Sequence, residues 1–270
     1  MKTVVITGST RGIGRGMAEE FLKRGHRVVI SGRSQGSVED ALDAVGRTFP
    51  VERIFGQPCD VREYGQVQTL WDAAVDHFGP IDLWINNAGI TGERGEFWKL
   101  STEEIRAVPA TNLRGTMYGC RVALRGMLEQ GTGAIYNMEG LGSDGRKVEG
   151  LILYGSTKRG LYYFTEGLIA ETADTPVLVG SLSPGMVLTD LLTARYEGKP
   201  EEWEQAKRIF NILADKVETV TPWLVERMLE NTKHGAHIRW LSRWNVIWRF
   251  LSAPFRRRDL FEGWEGPAEG

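Results

Sequence analysis

A chain of 270 residues, 41% hydrophobic and 25% charged, is long enough for one sizeable α/β domain and has an ordinary globular composition. Its formal net charge of −2 gives no overall attraction for nucleic acid, so no nucleic-acid partner is expected. Cys59 and Cys120 are far apart and form no CxxC pair, which argues against a disulfide framework and a zinc site. No metal site is predicted.

The predicted elements alternate between apolar strands and amphipathic helices. The first strand, Val4–Ile6, leads into the stretch TGSTRGIG and then into a helical pattern that Gly25 ends. In chain order there follow a strand at 27–31, a helix at 38–45, a strand at 51–56, a helix at 67–78, a strand at 81–85, a helix at 105–129, a strand at 134–138, a helix at 154–170 and a strand at 177–182. This alternation predicts an α/β fold with a doubly wound parallel sheet of the Rossmann type, as a single domain over residues 1–270.

The location of the protein is predicted from its termini and its hydropathy. No leader is recognised before the first strand, and no run of about 18 apolar residues could form a transmembrane helix. We expect a cytoplasmic protein. Peripheral membrane contact is left open, as is a plastid location if the chain is a processed eukaryotic protein.

The stretch TGSTRGIG joins the first strand to the first helix. Glycines there let backbone N–H groups approach a pyrophosphate, and the helix N-terminus adds partial positive charge. This position in the first βα unit favours a dinucleotide site over a bare structural turn. The predicted contacts are Thr7, Gly8, Ser9, Arg11, Gly12, Ile13 and Gly14.

The end of the second strand indicates which dinucleotide is bound. A carboxylate there would bind the ribose 2′-hydroxyl of NAD, but the sequence reads Ser31-Gly32-Arg33-Ser34. Arg33 and Arg11 can meet a 2′-phosphate through charge-assisted hydrogen bonds, and Ser34 lies beside them. We predict NADP(H), the alternative being that Arg33 is a solvated loop arginine.

Tyr154 and Lys158 are four residues apart and share one face of a predicted helix. A phenol normally titrates near pH 10, and a neighbouring ammonium lowers that pKa. Tyr154 could then exchange a proton with an oxygen while hydride moves at carbon. A YxxxK pair alone is a weak signal, and its weight comes from the surrounding motifs.

Those motifs resemble the short-chain dehydrogenase/reductase family over residues 1 to 190. The matching segments are TGSTRGIG, Asp60-Val61, Asn86-Asn87-Ala88-Gly89, Asn112, Tyr154 with Lys158, and Ser183-Pro184-Gly185 with Thr189. The resemblance implies that Asp60 and Val61 flank the adenine and that Pro184, Gly185 and Thr189 lie under the nicotinamide. It also implies that Asn87, Ala88 and Gly89 contact the cofactor, as Tyr154 and Lys158 do.

One expected hydroxyl is missing from the active-site loop. The family usually has a serine about 13 residues before the tyrosine, where this chain reads Glu139-Gly140-Leu141. Ser143 is the nearest candidate to hydrogen-bond a substrate carbonyl, if the glycines let the loop bend. Glu139 and Asp144 border the loop as solvated acids or as groups that orient its backbone.

The loop NMEGLGSDGR and the helix start LYGSTKRG are similar to the chlorophyll(ide) b reductase branch, as are SPGMVLTDLL, ILADKVETV and HIRWL. This resemblance implies NADPH-dependent reduction of the C7 formyl of a chlorophyll b-type tetrapyrrole. Tyr154 would donate the proton, Lys158 would hold the ribose and lower the tyrosine pKa, Asn112 would order a relay water, and Ser143 would bind the carbonyl. Two alternatives stay open: another hydrophobic aldehyde or ketone as substrate, and a non-catalytic dinucleotide-binding protein.

The C-terminal part is rich in tryptophan. Residues 186–232 are predicted to form a helical lid over the substrate, and residues 240–270 an amphipathic, basic tail with Trp240, Trp244 and Trp248 four residues apart. These tryptophans either pack on the protein's own core or on a partner subunit, or contact a membrane or a flat apolar ligand. The family resemblance further suggests a homo-oligomer.

Overall fold

The computed structural model describes residues 1–193, 196, 200–253 and 258–261. Its centre is a seven-stranded parallel sheet in the order β3-β2-β1-β4-β5-β6-β9, and β7 and β8 pair separately as a two-stranded parallel sheet. The strands are β1 Thr3–Ile6, β2 Arg27–Gly32, β3 Ile54–Pro58, β4 Leu83–Asn86, β5 Gly133–Met138, β6 Val177–Ser183, β7 Met186–Leu188, β8 Ala214–Lys216 and β9 Ala236–Arg239. The predicted doubly wound fold is confirmed.

Helices cover both faces of this sheet. Their bounds are α1 Gly12–Lys23, α2 Gln35–Gly46, α3 Tyr64–Phe78, α4 Thr102–Pro109, α5 Gly115–Gln130, α6 Ile152–Glu171, α7 Asp190–Thr193, α8 Pro200–Leu213, α9 Val217–Glu230 and α10 Arg243–Ser252. No helix among the described residues has the length and apolar content that a membrane crossing needs.

Several predicted elements have other bounds in the structure; for example, β4 is Leu83–Asn86 rather than 81–85. The third strand begins at Ile54 rather than 51, because Val51–Arg53 form a short 3₁₀ turn. The predicted helix 105–129 is interrupted by a π turn at Ala110–Arg114. Pro109 lies at this break, and a proline lacks the N–H that an uninterrupted helix requires.

Two apolar cores lie on the two faces of the sheet. On one face, α1, α2 and α9 pack against the strands, and on the other α3 and α5 do so. Val220, Leu224, Val225 and Met228 of α9 are buried in the first core. The C-terminal third of the predicted lid therefore belongs to the core helix layer. A third, smaller cluster gathers residues around α8, namely Tyr196, Trp203, Phe210, Ala214 and Phe261.

The C-terminal segment is tied to the domain through Asp215, which is buried in β8. Its carboxylate accepts hydrogen bonds from Trp240 Nε1 at 2.6 Å, Arg249 Nη2 at 2.8 Å and Arg258 Nη2 at 2.6 Å. Trp240 precedes α10, so the predicted four-residue stripe does not lie on one helix. Residues 254–257 and 262–270 of the predicted tail, with Trp264, lie outside the described residues.

Candidate active site

The site forms at the carboxyl ends of the central strands. The chain passes from β1 to β2 and β3 on one side, and then crosses over to β4 on the other side of β1. In open parallel sheets, ligands bind in the crevice where the strand order reverses. The turn after β1 and the Asn87 segment after β4 lie at this switch point.

The turn after β1 is held closely against the segment after β4. Thr7 Oγ1 accepts from the N–H groups of Asn87 at 3.0 Å and Ala88 at 3.1 Å, and Asn87 Nδ2 donates to the carbonyls of Thr7 at 3.0 Å and Gly8 at 2.9 Å. A Cβ on Gly14 would overlap the Gly8 carbonyl oxygen. The predicted residues of the cradle are therefore packed so tightly that only glycine fits at position 14.

The start of α1 is suited to an anion. Arg11 is its N-cap residue, the Arg11 side chain makes no capping hydrogen bond, and no acid lies in the first turn. The first N–H groups of a helix and its dipole attract a phosphate. Gly12 has φ of 57°, and a Cβ there would lie 3.4 Å from Thr189 Cγ2, so the predicted contacts Gly12 and Thr189 face each other across the groove. These features fit a pyrophosphate.

Four more predicted cofactor residues lie in the turn after β1, at the start of α1 and directly after β6. Ser9 is buried and joins the turn to β2, since its hydroxyl donates to the Ile6 carbonyl at 2.7 Å and accepts from the Ser31 N–H at 2.9 Å. Ile13 packs on the core. After β6, Gly185 has φ of 74°, a conformation that glycine adopts most readily, directly beyond Pro184.

The far end of the groove has no carboxylate at the end of β2. Arg33 is exposed there, and Ser34 caps α2 by accepting from the Ser37 N–H. Asp60 is held by a two-oxygen contact with the Arg62 guanidinium, and this hydrogen bonding lowers the pKa of the carboxyl, with a further contribution from the charge of Arg33. Val61, beside Asp60, is buried.

Tyr154 and Lys158 lie on α6 beside this groove. Lys158 Nζ is 5.8 Å from the centre of the Tyr154 ring and donates to the Met138 carbonyl at 2.9 Å. Lys158 is buried, and desolvation lowers the pKa of its ammonium to about 8, while the charge of Glu139 acts in the opposite direction. The structure thus brings the predicted phenol and cation together.

Asn112 lies in the π turn and is fully buried. Its side chain exchanges hydrogen bonds of 2.8 Å with the backbone of Ile90 and donates to Thr157 Oγ1 at 3.1 Å. A Cβ on Gly89 would lie 3.3 Å from Asn112 Oδ1 and 3.9 Å from Lys158 Nζ. Asn112 therefore connects the segment after β4 to α6, next to the lysine.

Ser143 does not occupy the position predicted for it. The residue is buried, and its hydroxyl accepts from the Gly140 N–H at 3.2 Å and donates to the Lys158 carbonyl at 3.3 Å. Its single hydrogen is thus directed to the backbone rather than to a substrate carbonyl. Gly140 is the residue beside the phenol, because a Cβ there would overlap the Tyr154 hydroxyl oxygen.

The sequence analysis missed two features of this site. Glu139 is buried and accepts from Ser181 Oγ at 2.6 Å, so it is not a solvated loop acid. Gly140 leaves the space beside Tyr154 without a side chain. Only the position of Gly140 in a glycine-rich loop could have indicated this open space beside Tyr154. Among the described residues, no group of three His, Cys, Asp or Glu residues is arranged to hold a metal ion.

Fold and site together define a dinucleotide-dependent oxidoreductase. A family model for short chain dehydrogenases matches residues 2–200. The chain therefore belongs to the short-chain dehydrogenase family, as the sequence motifs predicted, and it is an oxidoreductase. The alternative of a non-catalytic dinucleotide-binding protein is set aside.

Curated relatives narrow the comparison. Chlorophyll(ide) b reductase NOL, chloroplastic, of Oryza sativa subsp. japonica is 42% identical over 258 residues, which cover 92% of this chain and 74% of the relative. The protein of the same name from Arabidopsis thaliana is 41% identical over 248 residues, which cover 88% of this chain and 70% of that relative. A putative ketoacyl reductase of Streptomyces coelicolor is 34% identical over 205 residues, covering 75% and 77%.

Solved structures agree with the fold. A crystal structure of a variant actinorhodin polyketide ketoreductase with NADPH matches with a TM-score of 0.79 and 27% identity, covering 88% of this chain and 95% of the other. The closed form of a serine dehydrogenase complexed with NADP+ matches with a TM-score of 0.77 and 25% identity, covering 89% and 94%. A nicotinamide dinucleotide is thus the cofactor class.

The turn after β1 provides a test of the cofactor site. Gly8 has φ of 63°, and a Cβ there would lie 2.8 Å from Ala88 Cα. We expect Gly8→Ala to weaken dinucleotide binding at least about tenfold, because the turn must move away from the phosphates. Gly36→Ala in α2 is the control, since nothing lies within 4 Å of its Cβ. Equal affinities for the two variants in a fluorescence titration would contradict the assignment.

Proposed function

We propose that this protein is an NADPH-dependent reductase that converts the C7 formyl of a chlorophyll b-type tetrapyrrole to hydroxymethyl. The observation that carries the proposal is the Tyr154–Lys158 pair beside the dinucleotide groove, in a chain 42% identical to a chlorophyll(ide) b reductase. The pair lies on α6, and the identity extends over 92% of the chain.

In the proposed mechanism, Tyr154 is the proton donor. When bound, the dinucleotide supplies the hydride that adds to the carbonyl carbon. Tyr154 gives its hydroxyl proton to the carbonyl oxygen, and the Lys158 ammonium, 5.8 Å from the ring centre, stabilises the phenolate that results. Asn112 orders the water that returns a proton. Its side chain is engaged with Ile90 and Thr157, and its main-chain carbonyl accepts from Thr116 Oγ1 at 3.0 Å and has a second lone pair for that water.

NADP(H) is the proposed form of the cofactor. At the end of β2 the chain carries Arg33 and no acid, and Arg11 lies at the start of α1. Both cations suit a 2′-phosphate, whereas a ribose 2′-hydroxyl is normally bound by a carboxylate there. We propose the remaining predicted contacts, from Thr7 to Thr189, as residues that bind the same cofactor.

The absence of a side chain beside Tyr154 supports a bulky substrate. Gly140 adjoins the phenolic oxygen, and Leu141, the next residue, is 39% exposed. A flat, apolar ring system could therefore approach the tyrosine closely at this position. With Ser143 directed to the backbone, we assign the hydrogen bond to the substrate oxygen to Tyr154 alone. The segment from β7 to α8 is proposed as the lid over this substrate.

A second candidate keeps the chemistry and changes the substrate. The 34% identity to a putative ketoacyl reductase favours a smaller or lipid-like aldehyde or ketone. Binding sites built largely from apolar contacts discriminate only modestly between hydrophobic substrates. The reaction is therefore better supported than the identity of the pigment.

One experiment separates the two candidates. The protein is incubated anaerobically with NADPH and either chlorophyllide b or benzaldehyde, and the product spectra are recorded. Formation of the 7-hydroxymethyl pigment with little benzaldehyde reduction supports the tetrapyrrole reductase. Rapid reduction of benzaldehyde with unchanged pigment supports the second candidate, and no NADPH oxidation with any carbonyl contradicts both.

Helix α10 is proposed as a peripheral membrane contact. Arg249 points inward to the Asp215 carboxylate and the Leu213 carbonyl, so the apolar side chains of the helix point outward. Trp244, Ile247, Trp248 and Leu251 are 79%, 49%, 63% and 64% exposed at helical spacing. Aromatic and aliphatic side chains on one helix face are typical of helices that lie in a membrane interface. The predicted self-association stays a prediction.

This contact can be measured by co-sedimentation with vesicles that mix neutral and anionic lipids. We expect the double variant Trp244→Ser/Trp248→Ser to lower the bound fraction at least about tenfold, because two interfacial rings are lost. Trp98→Ser is the matched control, since Trp98 is 78% exposed elsewhere on the surface. A wild-type protein that stays in the supernatant would overturn the proposal.

A further inference from the structure

Polar side chains form a row across the sheet beneath α6, which the proposed mechanism leaves unused. Asn86, Asn137, Ser181 and His237 are register partners on the adjacent strands β4, β5, β6 and β9. Successive register partners point to the same face of a sheet. Asn86 Nδ2 donates to Asn137 Oδ1 at 2.9 Å, and Asn137 Nδ2 donates to Thr165 Oγ1 of α6 at 3.0 Å.

The outer half of this row leads to Glu139. Ser181 Oγ donates to Glu139 Oε1 at 2.6 Å and is 2.8 Å from His237 Nδ1, and His237 Nε2 is 3.1 Å from Glu166 Oε1. The side chain of Glu139 is 6% exposed, that of His237 29% and that of Glu166 43%. A continuous line of hydrogen-bonding groups therefore runs from a buried carboxylate to the protein surface.

The hydrogens on this line can be assigned from its donors and acceptors. Ser181 has one hydroxyl hydrogen, which goes to the Glu139 carboxylate, so His237 Nδ1 must donate to the serine oxygen. On the other side of the ring, Glu166 Oε1 lies 3.1 Å from His237 Nε2. His237 therefore lies between two carboxylates, since its Nδ1 is also 3.7 Å from Glu139 Oε1.

The inner end of the line lies against Lys158. Lys158 Nζ donates to the carbonyl of Met138, and a Cβ on Gly140 would lie 3.1 Å from Lys158 Cε. The backbone on both sides of Glu139 thus lies beside the lysine. Along the line the ionisable groups follow one another in the order Lys158, Glu139, His237 and Glu166, so that a basic group lies next to each carboxyl group. An isolated buried charge is costly, and both Glu139 and Lys158 are buried.

We propose that Glu139 is a positioning residue that keeps the Lys158 ammonium charged during turnover, and that Ser181 and His237 hold the Glu139 carboxylate in place for this role. This rests on the proposed function of Lys158. Burial lowers the pKa of Lys158 to about 8, and Glu139 is the group whose charge opposes that effect. Loss of the Glu139 charge would lower the Lys158 pKa further and reduce the charged fraction of this lysine near neutral pH, and a neutral amine stabilises no phenolate.

Other titratable groups surround the pair. Helix α6 contributes Tyr154, Arg159, Tyr162 and Glu166; Arg159 donates to the Ser143 carbonyl at 2.9 Å, and Tyr162 stacks on His237 at 6.2 Å between ring centres. Strand β9 contributes His237, and β6 contributes only the non-titrating Ser181. On the far side of Asn137, burial raises the pKa of the Cys120 thiol to about 12, so it carries no charge at working pH.

The test compares Glu139→Gln with wild type by two measurements. The full chain, labelled with ¹³C at lysine Cε, is titrated by NMR from about pH 6 to about pH 11, with the Lys158 signal assigned by its loss in Lys158→Met. The basic limb of kcat/KM against pH is measured in parallel. We expect Glu139→Gln to move both midpoints to lower pH by at least about half a unit, because a neighbouring negative charge is lost.

Controls make the result specific to the carboxylate. Glu139→Asp should restore the wild-type midpoint, and Asp144→Asn, an exposed acid of the same loop, should leave it unmoved. If Glu139→Gln does not fold, Glu139→Met, which removes the charge and keeps the length of the side chain, carries the test with the same sign. An unshifted Lys158 titration in the folded variant overturns the proposal. A protein inactive on every carbonyl contradicts the proposed function, and the NMR titration then decides the role of Glu139 independently.

Discussion

Tyr154→Phe is expected to lower kcat for carbonyl reduction by about 10²- to 10⁴-fold, the usual contribution of a positioned general acid. The substitution removes the hydroxyl that adjoins Gly140 and keeps the ring near Lys158 Nζ. Dinucleotide affinity should change little, because the predicted phosphate contacts lie on α1 and the turn before it. The measurement is NADPH oxidation with chlorophyllide b, together with a binding titration of NADPH.

The matched control for this variant lies on the same helix. Tyr163 is 81% exposed, so Tyr163→Phe changes the same group in water and should leave kcat unchanged. A Tyr154→Phe enzyme with more than about a tenth of wild-type kcat would reject this residue as the proton donor. A parallel loss in both variants would indicate a general effect on α6 rather than loss of an acid.

The fold was predictable because its signals are local. Strands apolar on both faces alternate with helices, and this pattern depends only on neighbouring residues. Packing partners are not local, which is why α9 was assigned to the lid although Leu224 and Met228 enter the main core. An apolar helix face indicates that the face is buried. The sequence does not indicate whether it is buried against a sheet or against a substrate. Pro109 was a local signal for a break, but the helix at 105–129 was predicted without one, and the π geometry after Pro109 was unforeseen as well.

The site was predictable to the same degree. TGSTRGIG and the Tyr154–Lys158 pair are short motifs whose chemistry follows from spacing, and the structure brings both to one groove. Counting 13 residues back from the tyrosine pointed to Leu141, but the bend of the loop puts Gly140 at the phenol. The polar row could not be predicted, because its members come from separate strands and meet only through sheet register.

The row also explains how one helix can serve both structure and chemistry. Helix α6 carries Thr165 and Glu166 against the row and Tyr154 and Lys158 toward the groove. The polar side chains of the row each have a hydrogen-bonding neighbour, and these contacts fix the rotation of α6 and its distance from the sheet. That fixed placement is what a proton donor needs, since proton transfer depends strongly on the distance between donor and acceptor.

Lys158→Met is expected to abolish most activity while keeping or raising stability. Without the ammonium no cation favours the Tyr154 phenolate, so kcat should fall by about 10²-fold or more. The lysine is buried, and desolvation lowers the pKa of its ammonium from 10.5 to about 8, which means that folding opposes the charged form. A methionine of similar length fills the same space without a charge to desolvate.

The pH dependence of stability gives this variant its sharpest test. Between about pH 8 and pH 10.5 the unfolded wild-type lysine binds a proton that the folded one has lost, so wild-type stability rises with pH there. Below about pH 8 the folded protein bears the full free-energy cost of the buried, charged lysine. The gain in stability of Lys158→Met over wild type should therefore be largest there and shrink as pH rises. Thermal unfolding of both proteins across this range measures the difference, with Lys23→Met on the exposed side of α1 as control. A variant less stable than wild type at neutral pH, or one that still turns over at the wild-type rate, would show that Lys158 is a structural lysine whose hydrogen bond to Met138 outweighs its desolvation.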